Sequence, residues 1–119
     1  MNENNRISYI EFPARNIEQT KEFFTAVFDW SFIDYGAEYT VVKNAGVNAG
    51  FYKSEQTALV ADGSVLIVIY CKELQKSQLN IKQAGGAIVK PTFSFPGGYR
   101  FHFTDLNGNE YAVWSEIDA

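Results

Sequence analysis

Three side chains could move a proton or grip a cation: Glu11, the single histidine His102, and Glu110. Two carboxylates and an imidazole are a plausible donor set for a divalent ion, and the same residue types serve as acid and base without a metal. His102 and Glu110 lie within residues 97–115, an aromatic run, a turn rich in Asp, Asn and Gly, and a second apolar run. That pattern predicts a β-hairpin, with Gly108 supplying the positive φ that the turn requires. Glu11 shares a face of the first expected strand with Tyr9, and Glu110 shares a face of the last with Ala112. Parity leaves the side taken by His102 open. His102 reads either as an imidazole hydrogen-bonded between aromatic strands or as a ligand-contacting or acid/base group. Glu11 reads either as half of an ion pair, with Arg100 a candidate partner, or as a pocket carboxylate acting as a base.

Aromatic residues make up 16% of the chain, a surplus that must line a core, a pocket or an interface. Tyr9, Tyr70 and Trp114 fall on the same expected faces as these polar groups. They either plug a cavity or stack on a flat organic molecule that Glu11 and His102 orient. The net charge of -4, with lysines spread singly, argues against a nucleic-acid partner and favours a neutral or cationic ligand. The lone cysteine, Cys71, excludes an intrachain disulfide and reads as a small buried strand residue. The polar N-terminus offers no signal-peptide core, and no apolar run reaches the length of a membrane span. A cytoplasmic, membrane-free protein is the expectation.

The elements that must position these groups come in two similar sets. A strand over residues 6–12, ended by Pro13, precedes a helix capped by Asn16 with Gln19 three residues on. Ile17, Phe23, Phe24, Val27 and Phe28 form its apolar stripe, and Asp29 is expected to close it in the left-handed conformation. Strands follow at about 31–35, 38–43 and 47–53, and a polar stretch over 54–63 connects to the second set. There a strand at 64–71 and a helix at 73–84, stopped by Gly85 and Gly86, lead to strands at 87–95, 99–104 and 109–115. A shift of 57 residues superposes the halves (Ile10 on Ile67, Phe24 on Ile81), the mark of two fused modules. Neither module is large enough to stand alone, so both are expected in one domain.

A duplicated strand-helix-three-strand module resembles the vicinal oxygen chelate superfamily of glyoxalase I, extradiol dioxygenases, and bleomycin and fosfomycin resistance proteins. Residues 23–30, Phe-Phe-Thr-Ala-Val-Phe-Asp-Trp, are similar to its helix-ending Phe-Tyr…Phe-Gly-Trp run, departing at Phe24 and Asp29. Asp105-Leu106-Asn107-Gly108-Asn109 is similar to its Asp-Pro-x-Gly-Asn turn, with Leu106 in place of proline. The resemblance implies an α+β fold of two βαβββ modules forming a curved mixed sheet, a single glyoxalase-like domain with modules at 6–53 and 64–116. It also implies a metal between two half-cups, a bound small molecule and a homodimer, for which Phe93, Phe95 and Tyr99 are candidate surface. Carried over by position, the metal ligands fall on Tyr9, Leu66, Ala112 and a residue near Gly50 or Phe51. Leucine and alanine cannot bind an ion, and a neutral tyrosine is a poor ligand. The expectation is therefore a cofactor-free binder of a planar or aromatic ligand in the cup, at Tyr9, Glu11, Tyr70, His102 and Trp114. The alternative is a glyoxalase-like lyase or isomerase, or a dioxygenase-like protein, using Glu11 and His102.

Overall fold

The computed structural model describes residues 3–119 and resolves two compact units, with the boundary between Gln56 and Thr57. Each is built in the order βαβββ. In the first, β1 (Ile10–Ala14), α1 (Ile17–Phe28), β2 (Ser31–Asp34), β3 (Tyr39–Lys43) and β4 (Ala49–Lys53) form a four-stranded sheet of order β1-β4-β3-β2. The second repeats this with β5 (Ile67–Tyr70), α2 (Leu74–Gln83), β6 (Ala87–Phe95), β7 (Gly98–Thr104) and β8 (Glu110–Ser115), ordered β5-β8-β7-β6. In both sheets the first strand runs parallel to the last and the remaining pairs are antiparallel. The α+β class and the tandem modules are as the sequence predicts, with one sheet per unit.

Local signals account for the helix ends. Asn16 Oδ1 accepts the Gln19 backbone N–H at 2.9 Å, the expected N-cap. Asp29 adopts φ 59°, and its N–H bonds the Thr25 carbonyl at 3.0 Å. Asn44, itself at φ 53°, braces this exit by donating to the Asp29 carbonyl and accepting the Ser31 N–H. The strand boundaries differ more. Pro13 does not end the first strand but lies inside β1, which begins at Ile10 rather than residue 6. Its missing N–H is harmless because β1 is an edge strand, paired on one side only. Cys71 lies just past β5 rather than within a strand; it is half-buried, and burial raises its thiol pKa.

In each unit one sheet face packs on the helix. In the first, Phe12 and Phe51 stack at 5.0 Å, and Phe24 of α1 meets Phe51 at 5.5 Å and Trp30 at 4.8 Å, almost parallel. In the second, Phe101, Phe103, Tyr111 and Val113 are buried with Leu74 and Ile81 of α2. A Phe or Leu taken fully out of water contributes about 1.5–3 kcal/mol, so this face holds each unit together internally. Alternation along the strands turns the remaining side chains to the opposite face of each sheet, called open because it is the one turned away from the unit's helix.

Candidate functional site

On the open face of the first unit, Glu11 of β1 sits beside Gly50 of β4, and Gly50 beside Val41 of β3. The Tyr39 hydroxyl donates to Glu11 Oε2 at 2.9 Å, which leaves the Tyr9 hydroxyl as donor to Tyr39 at 2.6 Å. This chain of three lies directly over Gly50, where a Cβ would collide with both hydroxyl oxygens. Glycine is thus required there by the close approach of two phenols. Burial, followed by the bonds with Tyr9 and Glu11, raises the Tyr39 pKa well above the usual tyrosine range. Glu11 is held by Tyr39.

The open face of the second unit carries a different set. His102 of β7 lies beside Ala112 of β8, and Arg100 beside Trp114, which resolves the parity left open by the sequence: His102 shares a face with Glu110, Ala112, Trp114 and Tyr70. Its ring is only 4% exposed, and Nδ1 bonds Glu110 Oε2 at 2.8 Å. Glu110 is itself fixed, because Oε1 accepts the Val60 N–H at 3.2 Å and its own N–H bonds the Ala58 carbonyl at 2.8 Å. Part of the expected connector is therefore a strap on the start of β8. The far nitrogen, His102 Nε2, is buried without a hydrogen-bond partner. So is Arg100 Nε, and these are the two such side-chain atoms among the described residues.

Aromatic rings surround these donors. Tyr70 packs edge-on against Trp114 at 5.0 Å, Phe95 lies 6.2 Å from Trp114, and Phe93 lies 6.0 Å from the His102 ring. The Arg100 guanidinium rests over Phe93 and Phe95 at 5.3 and 5.8 Å, and Lys90 Nζ over Phe93 at 4.5 Å. Phe93 and Phe95, expected on an outer surface, thus belong to this face, whereas Tyr99 points to the other side, beside Ser115. Two register shifts in β6, between Ile88 and Lys90 and between Lys90 and Phe93, turn Lys90 to this face as well. Each bulge inserts a residue and reverses which side the following side chains take, so the second restores the alternation and leaves Phe93 and Phe95 on the side opposite Ile88. The Tyr70 hydroxyl donates to Glu116, a bond that raises the tyrosine pKa and lowers that of the carboxyl.

The turn before β8 has a structural task. Asp105 Oδ1 accepts the N–H groups of Asn107 and Asn109 at 2.9 and 3.0 Å, and Oδ2 accepts from the Tyr111 hydroxyl at 2.9 Å. Gly108 takes φ 90°, as the turn demands. Asn109 Oδ1 then holds the Ala58 N–H at 2.9 Å, so the motif builds the frame that fixes Glu110.

Residues 6–113 match the Glyoxalase/Bleomycin resistance protein/Dioxygenase superfamily. The chain belongs to that superfamily. No curated protein matches it by sequence. Among solved structures it is similar to a hypothetical protein from S. aureus, at 15% identity and TM-score 0.76, over 95% of this chain and 99% of that one. It is also similar to a glyoxalase-related enzyme from Fulvimarina pelagi, at 14% identity and TM-score 0.75, over 96% and 88% of the two chains. A variant of the fosfomycin resistance protein FosX from Listeria monocytogenes, complexed with Mn(II) and 1S,2S-dihydroxypropylphosphonic acid, aligns at 17% identity and TM-score 0.76, over 93% and 90%. Identities this low support the shared fold.

The superfamily resemblance implies a metal, and the residues here do not fit one. Glu11 is paired with Gly50 and Val68 with Ala112, and Glu11 and Val68 are 57 residues apart, so Gly50 is the first unit's counterpart of Ala112. Leu66, Gly50 and Ala112 have no donor atom in their side chains, and the Tyr9 hydroxyl is committed to Tyr39. Among the described residues no three His, Cys, Asp or Glu side chains lie together to hold an ion. No helix of the described residues is long and apolar enough to cross a membrane.

Proposed function

We propose that this protein binds a planar or aromatic small molecule without a metal, on the open face of the second unit. The observation that carries the reading is a buried histidine whose Nδ1 is held by Glu110 while Nε2 has no partner, set among Phe93, Phe95, Tyr70 and Trp114. Leaving a buried polar atom unpaired costs about 1–3 kcal/mol, a cost that a ligand's polar group removes on binding. The rings offer flat apolar area for the rest of the molecule. Tyr9 and Glu11, with Tyr39, form a polar cluster on the first unit. The protein acts in this reading as a homodimeric, cytoplasmic binder of the drug-sequestering kind, making and breaking no bond.

Thermal-shift screening with phenolics, aromatic antibiotics and dicarbonyl thioesters tests it, alongside elemental analysis of protein purified without chelators. Stabilisation by aromatic compounds with no stoichiometric metal is expected. A divalent ion at one per chain would overturn the metal-free reading.

The His102–Glu110 pair favours one second reading. An imidazole oriented by a carboxylate at Nδ1, with Nε2 unpaired, is the arrangement of a general base. A glyoxalase-like lyase or isomerase working this way would exchange a substrate proton with solvent. Glu110→Gln would abolish that exchange, while a pure binder would show none.

A further inference from the structure

The charge around the orphaned nitrogens specifies more than flatness. Among the described residues Arg100 enters no ion pair and its Nε has no hydrogen-bond partner, while its guanidinium lies over the rings of Phe93 and Phe95. Lys90 approaches the same Phe93 ring, and of the two carboxylates that bond this cluster Glu110 is taken by His102 and the Val60 N–H, and Glu116 by the Tyr70 hydroxyl. The overall charge of -4 points to a neutral or cationic ligand, but local charge governs here. At physiological ionic strength charges beyond about 8 Å are largely screened. An unpaired guanidinium whose Nε is shut off from water is a standing demand for an acceptor.

We propose that the second unit's open face takes an aromatic monocarboxylate, its ring laid against Phe93, Phe95 and Trp114 and its carboxylate held between Arg100 and His102. This deepens the aromatic-ligand reading and rests on it. Arg100 and His102 stand two residues apart on β7, on one face, and both flank Phe93. One carboxylate oxygen accepts from Arg100 Nε–H. The other accepts from His102 Nε2–H, with Glu110 on the opposite ring nitrogen. The planar fork of arginine matches a carboxylate, and such charge-assisted bonds are about twice as strong as neutral ones. Binding satisfies both orphaned atoms at once and leaves the cation–π contacts of Lys90 in place.

Calorimetric titration with naphthoate, naphthamide and naphthylmethylammonium, on the wild type and on Arg100→Gln, separates the possibilities. Naphthoate is expected to bind about tenfold more tightly than the amide, and more tightly still than the ammonium. R100Q should erase that preference while keeping amide binding. Equal affinity for naphthoate and naphthamide, or a preference that survives R100Q, would overturn the carboxylate assignment and leave the aromatic reading standing. If none of the three binds, the aromatic reading falls and takes this one with it. Should R100Q fail to fold, the salt dependence of the wild type decides: added potassium chloride must weaken naphthoate and spare naphthamide, and equal response of the two would refute the proposal.

Discussion

The two units share an order of elements and a helix-packed face, yet their open faces differ in chemistry. Register makes the comparison position by position: Tyr39 corresponds to Arg100, Val41 to His102, Glu11 to Val68, Gly50 to Ala112 and Tyr52 to Trp114. In the first unit the polar groups bond one another, Tyr9 to Tyr39 to Glu11, and the glycine beneath makes room for them. In the second, Arg100 Nε and His102 Nε2 remain unpaired. Duplication preserved what folds the module, because every helix-facing position must stay apolar and well packed. The opposite face bears no such constraint, and there the units have diverged into a self-satisfied cluster and an unsatisfied one.

The largest test addresses the sameness of the cores. Phe51→Ala and Phe101→Ala remove fully buried rings from corresponding sheets, and each should cost about 3–5 kcal/mol in urea unfolding. Costs differing by more than about twofold would break the claim that the helix-packed faces are equivalent. The turns should differ instead. Asp105→Ala strips acceptors from two backbone N–H groups and a buried tyrosine, and a loss of about 3 kcal/mol is expected. Asn44→Ala, in the corresponding turn of the first unit, removes a partly exposed brace and should cost about 1 kcal/mol. Equal losses would mean that the Asp105 network is no more structural than its counterpart.

The faces differ next. Gly50→Ala drives a methyl into the Tyr9 and Tyr39 hydroxyls, and about 1–3 kcal/mol should be lost as the phenols are displaced. Ala112→Gly, the reverse change at the matching position, should cost about 1 kcal/mol from backbone entropy and a lost methyl. A Gly50→Ala protein as stable as the wild type would show that the phenol pair does not need its glycine.

How much of this was legible beforehand follows from where the constraints lie. Asn16, Asp29 and Gly108 announce their caps and turn because each position demands a special side-chain bond or a positive φ. The 57-residue repeat carried the topology, since apolar periodicity is set by the packed face. Pro13 misled, because proline is compatible with an edge strand and only pairing reveals which strand is at the edge. Glu11, Tyr70 and Trp114 could be placed on their faces by alternation alone. Arg100 could not be assigned to the site because its side follows that of His102, which only the pairing of β7 with β8 fixes, and Phe93 and Phe95 could not because only the pairing of β6 with β7 brings them beside Arg100. Tyr39 escaped notice because its role depends on the empty space over Gly50, a property of the pair rather than of either residue.

The smallest effect is the one that isolates Tyr39. Burial and its two hydroxyl bonds raise its pKa, as burial raises that of Tyr111, so neither should ionise with the more exposed tyrosines. In the unfolded chain Tyr39 titrates near the ordinary value of about 10. Its contribution to stability is therefore fully present below that pH and is lost as pH rises toward the folded-state value, because only the unfolded chain can release the proton. Tyr39→Phe keeps the ring and removes the hydroxyl, costing about 1 kcal/mol at neutral pH. Spectrophotometric titration of the folded proteins should then count the same number of phenolates in variant and wild type just above pH 10, with the wild type gaining its extra one only on unfolding. A variant short by one phenolate at that point would mean that Tyr39 ionises freely, and that the first unit's open face is as unsatisfied as the second's.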